Sequence, residues 1–151
     1  MKTNSGAALL DVSVLVALFC EGHIHHEVAH DWFADNAAAG WASCPTTENG
    51  LLRILSNPGR VDHHVPVPQL VALLKRFCEH SRHHFWPDGL SFRDARTFNV
   101  AACRGHQQLT DAYLLALAVK QGGRLATFDQ HVPLAAVKGA TRAALEVIAG
   151  G

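Results

Sequence analysis

The chain has 151 residues, 48% of them hydrophobic and 17% charged, a composition that fits one ordinary globular domain and excludes a disordered polymer. Thirteen basic side chains balance thirteen acidic ones, so with the eleven histidines neutral the net charge is zero and no global attraction draws the protein to a polyanion. No apolar stretch approaches the ~20 residues a membrane helix needs, and residues 1–6 carry no signal-like run, so a cytoplasmic protein without a membrane anchor is expected. Cys20, Cys44, Cys78 and Cys103 are widely spaced among apolar neighbours, as buried thiols of a reducing compartment are.

Short apolar segments alternate with helix-like ones along the chain. Residues 7–12 are apolar on both faces, the pattern of a buried parallel strand. Ser13 is placed to cap a helix running to about residue 20, and a second helix fits 27–38, stopped by Gly40. Residues 40–44 read as a second strand. Pro45 then opens a helix to Leu55, which Ser56-Asn57-Pro58-Gly59 terminates. Pro68 begins a helix to about His80, with Leu70, Val71, Leu73, Leu74 and Phe77 as its apolar stripe. Residues 84–86 form a third strand, cut short by Pro87-Asp88-Gly89, and 90–105 show no regular pattern. Thr110 caps a strong helix over 111–121, ended by Gly122-Gly123. A fourth strand over 124–128, a short helix over 133–138 and a fifth strand over 143–148 complete the chain. Strands separated by helices indicate an α/β sandwich with a mainly parallel central sheet of four or five strands, in a single domain over 1–151.

Four acids stand at the edges of these apolar segments. Asp11 closes Ala7-Ala8-Leu9-Leu10, Glu48 follows the second strand, Asp111 opens Ala112-Tyr113-Leu114-Leu115, and Asp129 closes Leu125-Ala126-Thr127-Phe128. An unpaired carboxylate withdrawn from water costs several kcal/mol or shifts its pKa. No Lys or Arg neighbours Asp11, Glu48 or Asp111 in sequence, so a hard divalent cation is the simplest missing partner. The topology gives the acids a common place, because in open α/β sheets ligands bind outside the carboxyl ends of the strands, where helix N-termini also favour negative charge. Each acid also has a structural reading: Asp111 complements a helix dipole, Glu48 fits a capping box with an earlier Thr, and Asp129 starts a turn. Asp11 is the hardest to account for in that way.

In order, Leu10-Asp11-Val12-Ser13-Val14-Leu15, Thr47-Glu48-Asn49-Gly50, Leu109-Thr110-Asp111-Ala112-Tyr113-Leu114 and Leu125-Ala126-Thr127-Phe128-Asp129 resemble the motif set of PIN-domain nucleases, most nearly the VapC-type toxins of bacterial toxin–antitoxin pairs. The resemblance covers nearly the whole chain. It implies a PIN-like α/β/α sandwich and an endoribonuclease dependent on Mg²⁺ or Mn²⁺. In it, Asp11, Glu48, Asp111 and Asp129 match the acidic quartet that holds the ion, Thr127 matches a hydroxyl position beside it, and Asn49 supports Glu48. It also implies a homodimer silenced by a small antitoxin.

Substrate contacts are expected on the rim, where Arg53, Arg60 and Arg104 lie close to the motifs, and Trp41 and Trp86 are candidate stacking surfaces, although large aromatics usually belong to the core. Several rival readings exist. His26 and His30 have the i, i+4 spacing of zinc sites within a cluster that includes His23 and His25, but no Glu follows His26 as in zinc peptidases. A Ser or Cys hydrolase lacks its nucleophile elbow. A related nuclease of RNA maturation, or a catalytically weak module that acts only as an antitoxin-binding corepressor, remains open to the same motifs.

Overall fold

The computed structural model describes residues 6–59 and 64–149. The strands are three or four residues long: β1 Ala8–Leu10, β2 Trp41–Ser43, β3 His83–Phe85, β4 Arg124–Thr127 and β5 Leu145–Val147. Residues so few hold together because both faces of β1, β2 and most of β4 are buried. All neighbours pair in parallel, in the order β3-β2-β1-β4-β5.

Alternation along each strand divides the core in two. Leu9, Ala42 and Leu125 point into one half, where α5 (Leu109–Lys120) contributes Leu114, Leu115 and Leu117. Ala8, Leu10, Trp41 and Ala126 point into the other, against α1 (Val12–Phe19), α2 (His26–Asn36), α3 (Pro45–Leu55) and α4 (Val67–Glu79). The result is the expected α/β/α sandwich, and its sheet is wholly parallel. Among the described residues, no helix is long and apolar enough to cross a membrane.

Several boundaries differ from the sequence expectation for physical reasons. Asp11, not Ser13, caps α1: its backbone is extended and its carboxylate accepts the Val12 N–H at 2.7 Å, and β1 ends at Leu10, two residues earlier than expected. Thr110 makes no cap, because a single 3₁₀ turn over His106–Gln108 runs directly into α5 and leaves Thr110 exposed in its first turn. The helix expected over 133–138 is one 3₁₀ turn at Leu134–Ala136. Residues 90–105 are tied down by an Asx turn at Asp94 and by Phe98, which bridges Val137 in antiparallel sense. Trp41 and Trp86 are core residues, each 1% exposed, and are unavailable for base stacking.

Gly123 marks the tightest approach in the frame. It links α5 to β4, and a Cβ there would overlap the Ala7 carbonyl oxygen and crowd the Trp86 ring at 2.8 Å. Gly123→Ala is expected to lower stability by about 1–3 kcal/mol, the usual cost of overpacking. The check is a denaturation curve whose midpoint falls while its slope is unchanged.

Candidate functional site

The chain runs out from β1 to β2 and β3 on one side, then returns to place β4 and β5 on the other. The junction between β1 and β4 is therefore the topological switch point, the place where such sheets bind ligands. Leu10 pairs with Ala126, and the Asp11 N–H donates to the Ala126 carbonyl at 3.0 Å, so Asp11 stands opposite Thr127 just past the strand ends.

Thr127 is fully buried, and its hydroxyl organises the junction. It donates to Asp11 Oδ2 at 2.7 Å and accepts the Asp129 N–H at 3.0 Å, fixing both acids through one oxygen. Asp11 is 8% exposed, and burial raises its pKa despite hydrogen bonds from Thr127, Val12 and Ser13; the charge of Asp129 adds to the rise. Asp111, in the first turn of α5 and 9% exposed, is pushed up to about 7, first by burial, then by its hydrogen bond to Asp129 and the charges of Asp11 and Asp129. Asp129 is held low, first by that hydrogen bond from Asp111 and then by the His131 N–H at 2.7 Å. The two therefore share a proton that resides on Asp111. Among the described residues, no Lys or Arg is ion-paired with Asp11, Asp111 or Asp129, and the imidazole of His131 lies 3.6 Å from Asp129.

Glu48 stands apart from this trio. Its position in the first turn of α3 is as expected, but the capping box there is made by Cys44 and Thr47, not by Glu48. Its carboxylate instead accepts the Ser43 hydroxyl at 2.6 Å, and Ser43 Oγ lies 2.7 Å from His83 Nε2. The Glu48 charge, after burial, pushes the Cys78 thiol up to about 11. The charges acting on the three aspartates are one another's and that of His131, and not that of Glu48. The strand alternation explains the division: Thr127 shares the face of Leu125, toward α5, whereas Ser43 shares the face of Trp41, toward α3 and α4. Among the described residues, no three acid, histidine or cysteine side chains converge closely enough to hold an ion as they stand.

The remaining candidates separate in the same way. Asn49 and Arg53 are exposed on α3, Arg53 beside a hollow of about 260 Å³ lined also by Gly50, Ile54 and Asn57. Arg104 is exposed ahead of α5, by a hollow of about 300 Å³. Arg60 lies outside the described residues. His26 Nδ1 and His30 Nε2 meet the Ala17 and Leu18 carbonyls at 2.7 and 3.0 Å, serving the orphan acceptors at the end of α1 rather than a zinc ion. Ser43 and His83 went unnoticed as site residues: forty positions apart, with Ser43 inside an apolar strand, they carry no motif that sequence reasoning could read.

A PIN domain model matches residues 8–139. The chain belongs to the PIN-domain family. It is 43% identical over 135 residues to "Ribonuclease VapC44" of Mycobacterium tuberculosis, covering 89% of this chain and 94% of that protein. To "Ribonuclease VapC38" of the same organism it is 41% identical over 125 residues, covering 83% and 86%, and to "Ribonuclease VapC29" 42% over 121 residues, covering 80% and 84%. This PIN domain is thus of the VapC type, as its ordered motifs implied.

Three carboxylates gathered with no Lys or Arg ion-paired to them among the described residues are costly when ionised. The folded-state pKa of Asp111 lies above the ordinary 3.8, so its contribution to stability falls as pH rises from about 4 to about 7 and the full penalty is present above 7. Asp111→Asn keeps the donor to Asp129 and removes the charge. The variant's denaturation midpoint is expected to exceed wild type at pH 8, with a gap that closes as pH falls toward 4. Equal midpoints at pH 8 would contradict the burial-and-repulsion account.

Proposed function

We propose that this PIN domain is a Mg²⁺- or Mn²⁺-dependent endoribonuclease acting as the toxin of a toxin–antitoxin pair. The observation that carries the reading is the trio Asp11, Asp111 and Asp129 at the switch point, the first two buried, with no Lys or Arg among the described residues ion-paired to any of them. The trio's all-oxygen donor set suits a hard cation. Asp11, pinned by Thr127, and Asp111 are the principal ligands in this reading, Asp129 completes the set, and Glu48 acts from the α3 side with Asn49 next to it. The likeness to proteins named as ribonucleases supports the substrate class.

A bound ion of this kind supplies a water of lowered pKa and neutralises charge on the scissile phosphate. The chain does the rest. Thr127 holds Asp11 and the backbone of Asp129 in one arrangement before substrate arrives, so little reorganisation accompanies the reaction. An ion held there would favour ionised Asp111, so its binding would strengthen as pH rises. Arg53, Arg60 and Arg104 contact RNA phosphates on the rim, compensating for a neutral protein approaching a polyanion. Homodimerisation, and an antitoxin that reaches the acidic pocket with a basic side chain in the cytoplasm, belong to the same proposal. A role in RNA maturation shares the chemistry but not the partner; a short upstream reading frame with a DNA-binding start and an Arg-bearing tail favours the toxin.

Purified protein on total RNA is expected to make discrete new 5′ ends with Mn²⁺ and none with EDTA. Asp11→Asn should cut at least about a hundredfold more slowly, the scale of losing one electrostatic stabiliser of a transition state. Undiminished cleavage by that variant removes the metal-site assignment. Arg53→Ala and Arg104→Ala should each raise KM and lessen the salt dependence of RNA binding by about one unit of log–log slope. An unaltered slope in both removes them from the RNA path.

A further inference from the structure

Ser43 and His83, which the family motifs do not include, form a hydrogen-bonded chain with Glu48. Ser43 closes β2 and is fully buried; His83 opens β3 and is half-buried, with its ring 4.5 Å from that of Trp41. Because Trp41 pairs with His83 in the sheet, Ser43 and His83 are diagonal neighbours on one face, where their side chains can meet. The chemistry sets the direction of the chain. An ionised carboxylate only accepts, so the single Ser43 proton points to Glu48 Oε2, and the imidazole must donate to Ser43 Oγ through Nε2–H. His83 is thereby fixed as the Nε2–H tautomer. Its environment agrees, since burial first and the neighbouring His84 second disfavour its charged form. Oε1 of Glu48 has no protein hydrogen bond among the described residues.

We propose that Ser43 and His83 are positioning residues that hold Glu48 by one oxygen and leave the other free for the ion or its bound water. Outer hydrogen bonds of this kind orient acidic ligands and fix which lone pair faces a metal. The inference rests on the assignment of Glu48 to the metal site in the preceding section. It also accounts for the separation of Glu48 from the aspartates: the residue is held on the α3 side by a chain anchored in two adjacent strands, so it reaches the site from a direction that the β1–β4 junction cannot supply.

Three measurements test it. In wild type, ¹⁵N spectra of the His83 ring should report Nε2–H; the Nδ1–H tautomer would overturn the proposal before any variant is made. Ser43→Ala and His83→Phe, the latter keeping a ring against Trp41, should each weaken Mn²⁺ binding roughly tenfold and lower kcat similarly with KM little changed, while Ser43→Thr, which retains the hydroxyl, stays near wild type. In a Glu48→Gln background, Ser43→Ala should add nothing, because both changes act through one carboxylate. Wild-type Mn²⁺ affinity and kcat in both Ser43→Ala and His83→Phe, or effects that add in full on Glu48→Gln, would overturn it. Mn²⁺ binding that responds to these variants in a protein that cleaves no RNA would sink the nuclease reading and leave the positioning role standing.

Discussion

The bond from the Thr127 hydroxyl to Asp11, in a junction that also gathers Asp111 and Asp129, is the interaction on which the site depends. A hydroxyl with one proton and two lone pairs can serve two acids at once if one offers its carboxylate and the other its backbone N–H, and Thr127 does both. The acids cannot relax outward, because Asp11 is at once the end of β1, the cap of α1 and the partner of Thr127. Like charges are held where they repel, and burial together with that repulsion pushes the Asp111 carboxyl up to about 7. Such locally unfavourable arrangements persist where the surrounding structure determines them, and they mark functional sites.

That determination comes from the short parallel sheet. Strands of three residues contribute few ladder hydrogen bonds, so their register is set by burial on both faces: a slip of one residue would send Leu9 and Leu125 into the α1–α4 half and turn Thr127 away from α5. The packing that fixes the core is thus the packing that aims the acids.

Much of this was legible in the residues themselves. Asp11, Asp111 and Asp129 could be read because each stands at the edge of an apolar run, where a charge leaves a trace in the pattern around it. The strands, α3 and α5 were legible from period and from Pro and Gly punctuation. Helix starts were less so: whether Asp11 or Ser13 caps α1 depends on where β1 ends, and β1 ends where the pairing of Asp11 with β4 allows. Residues 90–105 gave no signal because they are held by particular contacts, such as Phe98 on Val137, and not by periodicity. The partners of Glu48 were invisible for the same reason, since the contact between β2 and β3 that creates them joins residues forty positions apart.

The spacing between Glu48 and the Asp11 end of the site depends on the contact between α1 and α3. Gly50 lies two residues beyond Glu48, and a Cβ there would come within 2.5 Å of Val12 Cγ2, the first residue of the helix that Asp11 caps. Val12 is β-branched and stiff at χ1, so a larger residue at 50 would have to displace one helix from the other. The absence of a side chain at Gly50 therefore lets the helix that carries Glu48 approach the helix that Asp11 caps. Thr127 holds one half from the α5 side, Ser43 holds the other from the α3 side, and the Gly50–Val12 approach keeps them in register across the carboxyl edge of the sheet.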